Sequence, residues 1–152
     1  MNMERLFGLT GVLVMPFWLL MIFAPRTRVT AWAMRFPVGP VLPALMYLAL
    51  VAPRMGAIFP ALMQPKLGEI SALLGTPEGA TIGWLHFLAL DLFVGRWIYL
   101  DAKERGISAW VISPLLFLTL MFGPIGMLAY LGIRSAAARR GLDTPAVQGV
   151  AP

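Results

Sequence analysis

Three ionisable side chains, His86, Asp91 and Arg96, stand five residues apart inside an otherwise uncharged run, Thr81 to Leu100. A carboxyl and an imidazole are the usual material of general acid–base catalysis, and a guanidinium can stabilise a developing oxyanion. On a helix, five residues advance about 7.5 Å and turn about 140°, so neither partner stacks directly on Asp91. His86 and Arg96, ten apart, lie about 80° from each other and can border one cavity. Each has a plain structural alternative: Asp91 as a polar latch, His86 as an interhelical donor, Arg96 reaching out to water. Gly95 lies one turn from Asp91 on the same face, where the missing side chain admits a backbone or a ligand. Trp84, Phe87 and Ile98 share that side, either as packing or as a wall for a flat ring or polyene.

Other chemistries find little material. The chain has no cysteine, which removes disulfides, thiol nucleophiles and thiolate zinc sites. One histidine and scattered carboxylates make a poor metal site, so no metal is expected. No phosphate-cradling glycine loop, dinucleotide fingerprint or nucleophile elbow occurs, and no cofactor is expected. The charged stretch Asp101 to Arg105 reads as a solvated loop flanking the third run.

These residues must be held by elements that suit an unusual composition. Of 152 residues, 59% are hydrophobic and 12% charged, about half the charge of an ordinary soluble domain. Too little polar material remains to build a water-facing surface, so lipid is the expected solvent. The net charge of +5 lies between and beyond the apolar runs, which points to lipid headgroups and away from nucleic acid.

Four runs are long enough to matter: 6–25, 38–53, 81–100 and 108–133. A spanning helix needs about 20 apolar residues. The first run holds Pro16 and lacks a cleavage site before Pro25, so it reads as a retained helix and not a signal peptide. The second is entered irregularly through Pro37, Pro40 and Pro43. The fourth reads as one tilted span broken at Gly123-Pro124. Between the second and third, Met63, Leu67, Ile70 and Leu74 keep helical spacing, which predicts an interfacial helix over 64–75 ending at Gly75, with a plain loop as the alternative. The Gly-, Pro- and Ala-rich tail, 135–152, is expected to be disordered.

The expected fold is therefore all-α, a four-helix transmembrane bundle over 1–134 with both termini on one side. That arrangement leaves orientation open. Arg5, Arg54, Lys66, Arg134, Arg139 and Arg140 fall on one side, against Arg26, Arg28, Arg35, Lys103 and Arg105 on the other, with Arg96 nearby.

Specific motifs sit on two of these runs. Gly83-Trp84, His86, Asp91, Gly95-Arg96-Trp97, Asp101 and Arg105-Gly106-Ile107 resemble the signature of the ABA4-like family. Pro114, Thr119, Phe122-Gly123-Pro124, Gly126 and Tyr130 resemble it as well, and so does Pro16-x-Trp18 through Ala24-Pro25. The resemblance covers most of residues 4–134 and implies a small four-helix membrane protein. Plant members of that family are required to form neoxanthin from violaxanthin in plastid membranes. With five residues before its first span, this chain shows no transit peptide, so a bacterial inner membrane is expected.

Carried over, the chemistry is an isomerisation without redox change: a xanthophyll epoxide opens while a neighbouring C–H proton leaves. With three ionisable groups in one span, Asp91 and His86 are the expected acid and base for that reaction, and Arg96 is expected on the developing alkoxide. Trp84, Phe87, Gly95, Thr119 and Tyr130 are the expected substrate contacts. Two classes stay open: an enzyme acting on a carotenoid-like lipid, and a non-catalytic pigment-binding or assembly subunit of a larger membrane complex.

Overall fold

A computed structural model describes residues 2–139, and among these the fold is entirely helical. Helix α1 (Met3–Phe23) starts on Asn2, whose side chain accepts from the backbone N–H groups of Glu4 and Arg5. A short α2 (Arg28–Ala33) follows. Next come α3 (Val38–Val51), a 3₁₀ turn (Ala52–Arg54) and α4 (Met55–Met63), which together make one apolar stretch. This stretch runs ten residues beyond the expected span end at 53, because Pro53 falls in the 3₁₀ turn and does not stop the chain. Helix α5 (Leu67–Leu74) is the predicted amphipathic segment in shortened form, capped at Gly75, with Met63 belonging to α4.

Helix α6 (Pro77–Glu104) is the spine of the molecule, packed by α1, α3, α5, α7 and α8. Thr76 caps it by accepting from the N–H of Gly79, and Pro77 occupies the first turn, where no donor is needed. Its far end closes on Gly106, at φ +65°, with the N–H of Gly106 on the carbonyl of Lys103 and that of Ile107 on Ala102. This is a Schellman ending, which favours glycine at that position. Asp101 to Glu104 therefore continue the helix, where a solvated loop was expected.

The fourth run departs from expectation. It forms two helices, α7 (Ala109–Met121) and α8 (Gly123–Arg139), reversed at Phe122 (φ −144°, ψ 64°). A Cβ on Gly126 would fall 2.5 Å from both the Cα and the N of Thr119, so the two helices lie back to back. In a single helix those residues would be about 10 Å apart. The hairpin tip reaches only as far as Asp91, where Gly123 meets the carboxyl, and α8 then returns alongside α6 so that Tyr130 reaches Trp97 and Arg134 reaches Asp101. Residues 135–139, expected in a disordered tail, are the last part of α8; the rest of that tail lies outside the described residues.

Among the described residues, two stretches are long and apolar enough to cross a membrane, Met3–Phe23 and Val38–Met63, where four were expected. Helix α6 has the length, but His86, Asp91 and Arg96 interrupt its apolar character. The buried core joins Val14, Trp18 and Met21 of α1 to Leu92, Ile98 and Tyr99 of α6 and Leu116 of α7.

Candidate functional site

Asp91 lies midway along α6, partly buried, with its carboxyl pressed against Gly123 at the start of α8. A Cβ at this position would collide with the carboxyl where it stands, so the glycine at the hairpin tip permits this approach. Among the described residues, no side chain donates a hydrogen bond to this carboxyl or pairs with it. Beyond the tip, toward the start of α6, the hairpin no longer covers α1 and α6. Trp84 is 42% exposed there, in ring contact with Phe7 at 5.6 Å, and Gly8 and Gly11 of α1 have open space beside them. Trp84 is two turns from Asp91 on the same helical face.

His86 faces another way. Its ring lies 5.6 Å from Tyr47 of α3 and 6.2 Å from Phe87, at the edge of a cavity of about 320 Å³ between α3, α4, α5 and α6. Aliphatic residues such as Val51, Ile58 and Leu73 line the rest of that cavity. Phe87, 60% exposed, borders the same space.

Arg96 turns to a third neighbour. Its Nε donates to the carbonyl of Met34 at 3.0 Å and an Nη to that of Arg35 at 3.2 Å. These carbonyls end α2 and have no helical partner, so a cation there satisfies them. Tyr99 donates to Pro25, and Thr30 to Ala24 and Leu20, so the whole turn from α1 to α3 hangs on α6 and on its own threonine. Thus His86, Asp91 and Arg96 share a helix but contact three separate neighbourhoods.

The remaining expected contacts are buried in packing. The face of Gly95 is occupied by the indole of Trp18, whose Cη2 lies 2.5 Å from where a Cβ would stand. Thr119 is fully buried and donates back to the carbonyl of Leu115. Tyr130, also fully buried, donates to Asp101, which accepts as well from Arg105 at 2.8 Å and Arg134 at 3.0 Å. Burial opposes ionisation of Asp101. The hydrogen bonds from Arg105 and Tyr130 and the two guanidinium charges outweigh it and hold the carboxyl below its ordinary range. Arg134 also lies over the Trp97 ring, completing a latch between α6 and α8.

Sequence reasoning missed three participants. Trp18 was visible in the first motif, but its burial against Gly95 depends on how α1 crosses α6. Its indole N–H has no partner among the described residues. Tyr47 gave only the weak signal of a polar ring in an apolar run. Asp101 looked exposed because its acceptors' partners lie about 30 residues away.

Comparison with known proteins supplies what geometry does not. The family model described as ABA DEFICIENT 4-like matches residues 5–130. The chain is 27% identical over 133 residues to the protein ABA DEFICIENT 4, chloroplastic, of Arabidopsis thaliana, which covers 84% of this chain and 59% of the relative. The chain thus spans about three-fifths of that relative's length. No solved structure matches. With its motifs on α1, α6 and the α7–α8 hairpin inside the matched region, the chain belongs to the ABA4-like family.

Proposed function

We propose that this chain is an integral membrane protein that acts on a carotenoid-like lipid, with Asp91 as its acid–base group. The single observation that carries the reading is an unpartnered carboxyl at mid-helix, beside the hairpin tip and an uncovered aromatic face, in a member of this family. A carboxyl at bilayer depth costs a few kcal/mol and is retained chiefly for function.

In this reading the chain crosses the bilayer three times, through α1, the α3–α4 stretch and α6. The outward side chains of α1 support it: Val12 is 69% and Phe23 76% exposed, a surface that calls for lipid. Helix α7, 13 residues and therefore about 20 Å long, falls short of a 30 Å hydrocarbon core. The α7–α8 hairpin then enters from one side and turns at mid-depth, where packing on α6 satisfies the chain reversal. That topology also breaks the charge tie. Arg134 and Arg139 join Arg26, Arg28, Arg35, Lys103 and Arg105 at one end, against Arg5, Arg54 and Lys66 at the other. The basic end faces the cytoplasm.

The chemistry needs only one titrating group. Protonated Asp91 gives its proton to the epoxide oxygen as the C–O bond breaks. The resulting carboxylate removes the proton from the neighbouring carbon, and its electron pair completes the new double bond. The proton given equals the proton taken, so the product is an isomer and Asp91 returns to its starting state. Trp84 and Phe7 supply the flat face for the ring or polyene. Arg96 is a positioning residue here, and His86 belongs to the Tyr47 cavity. The test is to incubate vesicles containing the chain with a xanthophyll 5,6-epoxide and separate the pigments. A product of identical mass and altered retention supports the proposal; unchanged pigment contradicts it.

A second reading, a non-catalytic pigment-binding subunit, is favoured by the outward aromatic rings, which a bound polyene would cover without chemistry. A stoichiometric carotenoid band on the purified protein, with the pigment unaltered, would favour it.

A further inference from the structure

A groove whose lining includes neither Asp91 nor Gly123 has the form of an amphipathic ligand. Between the end of α1 and α7 runs an apolar trough of about 710 Å³, walled by Ile22, Phe23, Trp110, Pro114 and Phe117. Its walls are strongly exposed, Trp110 at 81% and Phe23 at 76%. At its upper end the trough shares Pro25, Arg26 and Ala109 with a second cleft of about 370 Å³. That cleft is more polar than the trough: Arg26, Tyr99, Lys103 and Ser108 are among the residues that line it, and no carboxylate is. The Arg26 and Lys103 side chains make no hydrogen bond or ion pair with another described residue. Two unpaired cations thus cap an apolar trough at the basic end of the bundle.

We propose that this groove is a binding site for a phospholipid with an anionic headgroup, its acyl chain in the trough and its phosphate between Arg26 and Lys103. Both volumes lie in the range of small-molecule sites, and their order along the bundle matches a lipid at the cytoplasmic leaflet. The site rests on the membrane reading but not on Asp91 or any activity. Because both cations are exposed and unpaired, replacing them leaves the packing of the bundle unchanged.

The full chain, purified in detergent, is exchanged into mixed micelles with phosphatidylglycerol or phosphatidylcholine, and retained lipid is counted by native mass spectrometry. Phosphatidylglycerol should be retained roughly tenfold over phosphatidylcholine, and the Arg26→Gln, Lys103→Gln double variant should lose that preference. Trp110→Ala should weaken retention of both lipids. Millimolar inorganic phosphate should fail to displace the bound lipid, since it cannot fill the trough; complete displacement would reassign the cleft to free phosphate and overturn the proposal. Equal retention of the two lipids, or an unaltered preference in the double variant, also overturns it, while leaving the membrane reading intact. Extraction of the chain from membranes by alkaline carbonate would overturn both together.

Discussion

At the scale of single residues, a charge in this chain does different work according to what meets it. Arg96 meets two helix-end carbonyls and holds a turn, Asp101 meets three donors and locks α8, and Asp91 meets a glycine. Only the last keeps free capacity to exchange a proton with a ligand. Asp101 gives a test with a defined sign. A carboxyl held below its ordinary value when folded stabilises the fold above the unfolded value, and that contribution is lost as pH falls through the folded one. Thermal melting in detergent should therefore drop as pH is lowered below about 4. Asp101→Asn should lower the melting temperature at neutral pH and flatten that acid response. The types and spacing of His86, Asp91 and Arg96 were legible in the sequence. Their separation into three neighbourhoods was not, because it depends on which helix arrives at each face.

At the scale of elements, uncharged apolar runs located α1 and the middle of α6, and helical spacing ending at Gly75 located α5, while the caps at Asn2 and Thr76 start the first two helices ahead of those runs. The break at Gly123-Pro124 was equally visible. What it meant was not: a kinked span and a reversed hairpin use the same residues, and only the approach of Gly126 to Thr119 separates them. Gly126→Val should accordingly force α7 and α8 apart, costing about 1–3 kcal/mol. Chemical denaturation in micelles would register this as a lowered midpoint. An unchanged midpoint would mean that the two helices do not pack closely at Thr119. The hairpin also carries Gly123 to Asp91, so the run expected as one tilted helix, and found as two, is the one that meets the Asp91 carboxyl.

At the scale of the whole molecule, composition implied lipid as solvent; two described stretches have the length and apolar character to cross a membrane, and the proposed topology has three crossings and a hairpin where four spans were expected. The two topologies differ in where the ends lie. Four spans place residues 64 and 135 on the same side; three spans with a hairpin place them on opposite sides. The chain lacks cysteine, so Gln64→Cys and Ser135→Cys each introduce one reporter. A membrane-impermeant maleimide applied to intact cells should label position 64 and spare position 135 until the cells are opened. Labelling of both positions in intact cells would contradict the hairpin, and labelling of position 135 alone would contradict the orientation.

In the proposed function Asp91, and not the wider trio, carries the chemistry on a carotenoid-like lipid. The most direct measurement compares pigment conversion by the native chain, Asp91→Asn and His86→Gln in the same carotenoid-epoxide vesicles, each variant checked for native melting behaviour. Asp91→Asn should reduce conversion by about 10²-fold or more, the scale of a lost acid–base group, while His86→Gln should stay within a few-fold of native. Full conversion by Asp91→Asn would rule out Asp91 as the acid–base group.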